Sequence, residues 1–138
     1  MKNGILFPLL FSLLVLAGCG DKVPLKGKVV FSDDGSPLTA GRICLTTDTY
    51  FSRGEIKPDG TFVVGSEKAT DGLPPGTYRV YIAGAEKLIG EDEMGKEVTE
   101  SIIDPKYASA ETSGIVVDVT PSTKSIEIIV DRFDPKKK

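Results

Sequence analysis

The segment YFSRGEIKPDGTFVV, residues 50–64, holds two runs of strand-forming residues around a four-residue turn. Residues 57–60 supply the turn, because proline fits an early turn position and glycine accepts the positive φ of a late one. The flanking runs, 50–56 and 61–64, contain the β-branched and aromatic residues that strands favour. The segment therefore predicts an antiparallel β-hairpin and sets the class of the fold.

Similar runs separated by turn clusters continue on both sides of this hairpin. They lie at residues 25–31, 41–47, 77–83, 114–119 and 125–130. With the hairpin this makes seven runs at a spacing of roughly ten residues, which is typical of a sandwich. In the last run Ile126, Ile128 and Val130 alternate with polar or outward positions, so they should face the core. The predicted fold is all-β, a seven-stranded antiparallel β-sandwich of Greek-key type over residues 24–131.

Residues 85–113 interrupt this regular spacing. The stretch is acidic and contains few large apolar residues. Loops of this length in compact domains are usually functional or mobile. We expect a mobile surface excursion between the fifth and sixth strands, with one or two helical turns within residues 91–101. The basic segment 132–138 is expected to be a solvated tail.

The first eighteen residues read as a signal peptide. Lys2 gives a short positive region, and residues 5–16 are apolar apart from one proline and one serine. Twelve such residues are too few to cross a bilayer core of ~30 Å, which needs about twenty. They match the apolar region of a secretory signal. We therefore exclude residues 1–18 from the predicted fold.

The signal ends in Leu16-Ala17-Gly18-Cys19, which resembles the bacterial lipobox. The resemblance implies cleavage before Cys19, diacylglycerol on its thiol and an acyl chain such as palmitate on the new amino terminus. Several acyl chains anchor a protein firmly, because each buried CH₂ contributes ~0.8 kcal/mol. Residues 19–23 would then be a lipidated tether. The expected location is the bacterial cell envelope, at the periplasmic face of the outer membrane or the cell surface. An ordinary signal peptide with a chance cysteine is the alternative.

Composition excludes several classes of function. The 138 residues contain no His and no Trp, and 17 Lys plus Arg stand against 20 Asp plus Glu. The net charge of −3 gives no general attraction to nucleic acid. Without His, neither a Ser-His-Asp nor a Cys-His nucleophile can form, and zinc lacks its usual ligands. The sequence predicts no catalytic residues, no cofactor and no metal, and a protein that is not an enzyme.

Three groups of residues allow a chemical role, and each also has a plain structural explanation. Cys44, the only thiol besides Cys19, lies among strand residues and should be a buried structural cysteine. Asp33 and Asp34, with the acids at 91–93, could offer oxygen ligands to calcium, but acidic runs are more often solvated and the EF-hand spacing is absent. Sugar binding would need exposed aromatic side chains, which more often pack in the core. The aromatic candidates are Tyr50, Phe51, Tyr81 and Tyr107.

Four motifs occur in an order that resembles a known family. They are Gly-x-Val-x-Phe at 27–31, Asp-Gly-x-Pro-Leu at 34–38, Gly-x-Ile-x-x-Asp-Gly-x-Phe at 54–62 and Leu-Pro-Pro-Gly-x-Tyr-x-Val at 73–80. Lys106-Tyr107 and Thr112-Ser113-Gly114 follow them. Over about residues 24–130 the chain resembles the carboxypeptidase-regulatory-like, or transthyretin-like, sandwich. The nearest variant is that of small secreted lipoproteins of planctomycete-type bacteria. Within it, Leu38 should plug one end of the sandwich and Tyr78 should enter the core.

This resemblance implies a structural or binding role rather than catalysis. Related enzymes, hydroxyisourate hydrolase and intradiol dioxygenases, depend on His, which this chain lacks. We therefore expect a non-catalytic, lipid-anchored envelope module whose partners are the membrane, through Cys19, and an envelope protein or glycan. One alternative is a hydrolase or hydrolase accessory with a cleft in which Ser101, Lys106 and Tyr107 converge. Another is a carbohydrate- or protein-binding module that pairs by strand addition at an open sheet edge.

Overall fold

The computed structural model describes residues 22–65 and 72–137. The predicted signal peptide and Cys19 lie outside these residues. Nine strands and two short helical turns make up the described chain. The strands are β1 (Leu25–Phe31), β2 (Arg42–Thr46), β3 (Phe51–Glu55), β4 (Thr61–Val64), β5 (Gly76–Ala83), β6 (Glu86–Glu91), β7 (Glu97–Ser101), β8 (Ile115–Val119) and β9 (Ser125–Val130). A 3₁₀ turn spans Pro105–Ala108, and α1 spans Ala110–Ser113.

Seven of these strands form the two sheets of a sandwich. One sheet has the order β4-β1-β9 and the other β3-β2-β5-β8. The all-β sandwich prediction is confirmed, and the seven strands are those that the alternation indicated. The prediction of purely antiparallel sheets is wrong at one place, because β9 pairs with β1 in parallel, from Lys26↔Ser125 to Phe31↔Val130. The alternation of apolar residues fixes which face of a strand is buried, but it carries no information on strand direction.

The core lies between the inner faces of the two sheets. Ile128 and Val130 of β9 are buried while Ile129 is exposed, as the alternation predicted. Tyr78 is buried, and its hydroxyl donates a hydrogen bond of 2.6 Å to the carbonyl oxygen of Pro74. Leu38 is completely buried although it lies outside any strand. The other fully buried large side chains are Leu25, Val29, Ile43, Leu45, Phe62, Val64, Leu73, Val80, Ile82 and Val119.

Most residues of the predicted excursion, 85–113, are in regular structure. β6 and β7 pair as an antiparallel two-stranded ribbon, where a helical turn was expected. Asp92 makes the turn, because its carboxylate accepts hydrogen bonds from the backbone N–H groups of Met94 and Lys96, both at 2.9 Å. Gly95 then takes a φ of +78°. Asp and Glu are poor strand formers, but the turn at Asp92 and Gly95 orders the ribbon in spite of them, so acidity is a misleading signal here.

The two helical turns follow the ribbon and cover part of β5. In α1 the Ser113 hydroxyl donates to the carbonyl oxygen of Val80, and Tyr107 of the 3₁₀ turn is buried. The C-terminal segment lies against the same region. Arg132 forms a bridge with Ile103, so this part of the expected solvated tail contacts the sandwich. No helix within 22–65 and 72–137 is long and apolar enough to cross a membrane.

The sandwich has two ends, defined by where the chain enters and where the ribbon leaves. At the proximal end, Val23 pairs with Leu73 just before β1 begins. At the distal end, β5 finishes at Ala83, opposite Arg42 of β2, and the chain continues into the ribbon. The turn at 57–60 also lies at the distal end, because it joins β3 to β4 beyond Glu55, the partner of Arg42.

Candidate functional site

The described chain begins close to the predicted lipidation site. Val23 donates to the Leu73 carbonyl at 2.7 Å and accepts from the Leu73 N–H at 3.0 Å. Val23 is four positions after Cys19, and four residues of extended chain span at most about 14 Å. The proximal end of the sandwich therefore lies within about 14 Å of position 19.

Cys44 is a buried free cysteine on β2, so the prediction of a structural cysteine is confirmed. Its thiol lies 3.9 Å from the Arg42 carbonyl oxygen. Burial raises the pKa of the Cys44 thiol, with the side chain of Tyr81 acting in the opposite direction. A buried thiol with a raised pKa is a poor nucleophile.

Asp33 and Asp34, the candidate calcium ligands, are bound by an arginine. The Arg132 Nε lies 2.8 Å from Asp33 Oδ2, and a second guanidinium nitrogen lies 3.1 Å from both carboxylate oxygens of Asp34. The guanidinium also stacks 3.8 Å from the centre of the Phe31 ring. Among the described residues, no group of three or more His, Cys, Asp or Glu could hold a metal ion. Through Arg132, Asp33 and Asp34 instead connect the turn after β1 to the C-terminal segment.

This network predicts a loss of stability in acid. The hydroxyl and backbone N–H of Ser36, with the charge of Arg132, lower the pKa of Asp34 from 3.8 to about 2. Because the folded pKa lies below the unfolded one, the Asp34 carboxylate stabilises the fold above pH 3.8 and loses that contribution as the pH falls to about 2. As the pH is lowered over this range, we expect the thermal unfolding midpoint of the wild type to fall. The midpoint of Asp34→Asn should fall less steeply. Asp48→Asn, at an almost fully exposed side chain, is the control and should follow the wild type.

Lys106 and Tyr107 converge on one carboxylate. Asp131 Oδ2 lies 3.3 Å from the Lys106 Nζ and 3.2 Å from the Tyr107 hydroxyl, while Ser32 donates to Oδ1 at 2.6 Å. The hydrogen bond with Asp131 raises the pKa of Lys106, and Ser32 and Lys106 lower the pKa of Asp131. Lys106 is thereby held in its charged form, which cannot accept a proton.

Ser101 does not join this cluster. Its hydroxyl donates to the Ile103 carbonyl oxygen at 2.6 Å, at the base of the ribbon. A hydrolytic cleft required Ser101, Lys106 and Tyr107 together, and the structure joins only the last two. The geometry therefore gives no support to the hydrolase alternative.

Two of the four candidate aromatic side chains belong to the core. Tyr107 is buried, and Tyr50 packs edge-on against Tyr78 with 6.4 Å between ring centres. Phe51 and Tyr81 lie on the outer face of the four-stranded sheet, on strands that β2 separates. Packing therefore accounts for Tyr50 and Tyr107, which leaves no cluster of all four aromatics for a sugar.

The ribbon of residues 86–101, here called the distal ribbon, exposes four large apolar side chains. Met94 at its tip is 93% exposed, and Leu88, Ile89 and Val98 are 60%, 56% and 38% exposed. At the base of the ribbon Ile102 donates to the carbonyl oxygen of Ala85, and Ala85 is buried in the core of the sandwich. Neighbouring exposed apolar side chains usually mark an interaction surface.

The distal ribbon is also strongly acidic. It carries six Asp and Glu against two Lys, a net charge of −4. Glu91 and Glu97 lie directly opposite each other across the two strands, and like charges in this position destabilise a strand pair. A two-stranded ribbon is at best marginally stable by itself. Its acidic and exposed apolar side chains do not stabilise the ribbon itself, and such a combination is typical of a binding surface.

A second surface feature is a groove of about 640 Å³ on the three-stranded sheet, here called the lysine groove. Lys26, Lys28, Lys57 and Glu127 are its charged lining residues, and Val63 and Ile126 contribute apolar surface. None of the three lysines forms an ion pair with any residue in the described ranges. With three lysines and one glutamate the groove has a net positive charge, opposite in sign to that of the distal ribbon.

Sequence reasoning missed both surfaces, although the ribbon left a signal. The strand-forming residues of 87–89 and 98–99 flank an Asp-x-x-Gly turn at 92–95. This is hairpin chemistry of the kind that identified residues 50–64. The groove had no such signal, because it depends on β4 and β9 lying on either side of β1.

The chain is only distantly similar to known proteins. No family model matches it, and no curated protein matches. Among solved structures it is similar to a DUF3823 family protein from Bacteroides ovatus, with 18% identity over 79% of this chain and a TM-score of 0.45. It is also similar to BcpA, the major pilin subunit of Bacillus cereus, with 11% identity over 82% of this chain and a TM-score of 0.46.

A third similar structure is a 9R-lipoxygenase from Cyanothece, with 15% identity over 84% of this chain and a TM-score of 0.42. The chain spans 44%, 30% and 18% of the lengths of these three proteins, respectively. Similarity at this level transfers no function to the chain. The strand pairing of the chain therefore defines its fold, and its own residues are the basis of the proposed function.

Proposed function

We propose that the protein is a non-catalytic, lipid-anchored module of the bacterial cell envelope, held by acyl chains on Cys19. The observation that carries the proposal is the Leu-Ala-Gly-Cys sequence at 16–19, directly after a twelve-residue apolar run. The tether of at most about 14 Å supports it, because a short tether keeps the sandwich at the bilayer surface. The outer membrane or the cell surface is the proposed location.

The proposed anchoring also orients the sandwich. The tether joins the proximal end, so the distal ribbon extends from the end that faces away from the bilayer. A net charge of −4 on the ribbon disfavours contact with anionic lipid. The ribbon is thus placed to bind a protein or another envelope component, and we assign it the binding role of the module.

We further propose that the sandwich is of the carboxypeptidase-regulatory-like type, in a small lipoprotein of the planctomycete kind. Two glycines of the recognised motifs support this, because each occupies a place where a side chain would not fit. A Cβ on Gly27 would lie 2.4 Å from the Ile126 carbonyl oxygen, and one on Gly54 would lie 2.2 Å from that of Val63. The motif glycines are thus required where two strands approach closely.

The anchoring is tested by Cys19→Ser in the full chain expressed in a bacterium that processes lipoproteins. We expect the wild type in the membrane fraction, with an acylated amino-terminal cysteine by mass spectrometry. Cys19→Ser should lose the acyl chains and most of its membrane attachment, since one thiol carries the anchor. Cys44→Ala changes the other, buried thiol and is the control that should remain attached. Unchanged attachment of Cys19→Ser would refute the proposal.

Strand addition at the edge of a sheet is a second candidate mode of binding. β8 ends the four-stranded sheet, pairing only with β5 within the described chain. Its Val116 is exposed, and open apolar edges favour pairing with another strand. The strand has only five residues, however, and short edges limit such pairing. The distal ribbon, with four exposed apolar side chains, is therefore the stronger binding surface.

A further inference from the structure

We infer that the distal ribbon of one copy of this protein docks into the lysine groove of a second copy. The proposal goes beyond the anchoring proposed above and does not require it. It assigns a partner to each of two surfaces that the sandwich leaves unoccupied.

The distal ribbon and the lysine groove have complementary charges. The side chains of Glu91, Glu93 and Glu97 form no hydrogen bond or ion pair with any described residue. The three lysines of the groove likewise form no ion pair with a described residue, so docking would bring three carboxylates to a groove lined by three lysines and one glutamate. The cross-strand repulsion between Glu91 and Glu97 would be relieved by a lysine placed beside them. Paired surfaces of opposite charge steer association and fix its register.

Both surfaces also contain apolar side chains beside their charged groups. Leu88, Ile89 and Met94 of the ribbon are more than half exposed. The groove offers the apolar atoms of Val63 and Ile126 and the aliphatic stems of its lysines. Docking would remove apolar surface from water on both copies, which drives association.

The positions of the two surfaces in the sandwich are also compatible with docking. Lys57 lies in the distal turn, and β4, which follows it, pairs Thr61 with Lys28. The distal part of the groove and the base of the ribbon are therefore at the same end of the sandwich.

The contact is heterologous, because it joins two different surfaces. Each copy retains a free ribbon or a free groove after pairing, so the contact repeats until a ring closes or a chain grows. One ribbon in one groove is a small interface, and small interfaces give weak and concentration-dependent association. The expected product is a reversible series of oligomers rather than a single fixed dimer.

The experiment uses the chain from residue 20, which contains every residue of the described core. In analytical ultracentrifugation we expect the average mass of the wild type to rise with concentration. Raising the ionic strength to about 1 M, where the Debye length is only about 3 Å, should reverse most of that rise. A wild type that stays monomeric at the highest soluble concentration overturns the proposal and leaves the ribbon to a different protein.

Two double variants test the ribbon and the groove separately. The ribbon variant Leu88→Ser with Met94→Ser keeps its groove, and the groove variant Lys26→Glu with Lys28→Glu keeps its ribbon. Each alone should associate about tenfold more weakly or worse. Mixed together, they should form a one-to-one dimer that does not grow, because only one intact ribbon and one intact groove are present. A mixture that remains monomeric, or a single variant that associates like the wild type, refutes the docking.

A matched control removes exposed apolar surface elsewhere. Phe51→Ser with Ile129→Ser changes two exposed side chains of the sandwich, on β3 and β9. This variant should associate like the wild type. Equal loss in the control would show that general apolar contact, rather than ribbon and groove, drives association. Because the variants lack residues 1–19, their behaviour is separate from the outcome of the Cys19 experiment.

Discussion

Gly54→Ala should destabilise the sandwich by about 3 kcal/mol or more, at the upper end of what overpacking costs. The new methyl group would lie 2.2 Å from the Val63 carbonyl oxygen and 2.9 Å from its carbonyl carbon. Both are backbone atoms, so no side-chain rotation can relieve the clash, and β3 must move away from β4. A domain of this size is stable by only about 5–15 kcal/mol, so the loss is a large part of the total. Urea unfolding followed by circular dichroism measures it.

Gly76→Ala is the matched control for this substitution. Gly76 also lies in a strand without a positive φ, but the nearest atom to its added Cβ is Cε2 of Tyr78, at 3.7 Å. That distance is ordinary van der Waals contact, so the alanine fits. Gly76→Ala should be neutral or stabilising by up to about 1 kcal/mol, because it restricts the unfolded chain. Equal destabilisation of the two variants would show that the close approach of β3 and β4 is not what requires Gly54.

Local sequence was sufficient to predict the seven strands of the sandwich. The predicted runs at 25–31, 61–64 and 125–130 coincide with β1, β4 and β9. In each case a turn residue bounds the run, and an apolar side chain recurs at every second position, so both signals lie within a few residues of each other. The alternation also predicts the inward face of β9, whereas the burial of Cys44 follows from its place between apolar strand residues.

The features that were missed depend on contacts between distant residues. The parallel pairing of β1 and β9 joins residues about one hundred positions apart, which no local pattern reports. Arg132 binds Asp33 across 99 positions, so Asp33 and Asp34 looked free in the sequence. The ribbon escapes prediction for a different reason, because its acidic residues suggest a solvated loop rather than strands. Charge determines whether a surface is solvated, but turn chemistry and strand-forming residues determine whether it is ordered.

Leu38→Ala should cost about 2–5 kcal/mol, the range for truncating a leucine in a core. Leu38 is 0% exposed although it belongs to the connection between β1 and β2. Its backbone N–H donates to the Val29 carbonyl oxygen at 2.9 Å, which fixes the loop over the end of the sandwich. Urea unfolding should show a lower midpoint with an unchanged slope, since the substitution leaves the exposed area of the unfolded chain nearly the same.

Leu88→Ala is the control for this prediction, because it makes the same change at a side chain that is 60% exposed. It should alter stability by no more than about 0.5 kcal/mol. The size of the Leu38 effect then reports how rigid the loop is. A loop that collapses into the cavity would bring the cost toward 2 kcal/mol, while a loop held by the Val29 hydrogen bond would keep it near 5, both being approximate limits of the known range. A cost as small as that of Leu88→Ala would mean that the loop does not close the end of the sandwich.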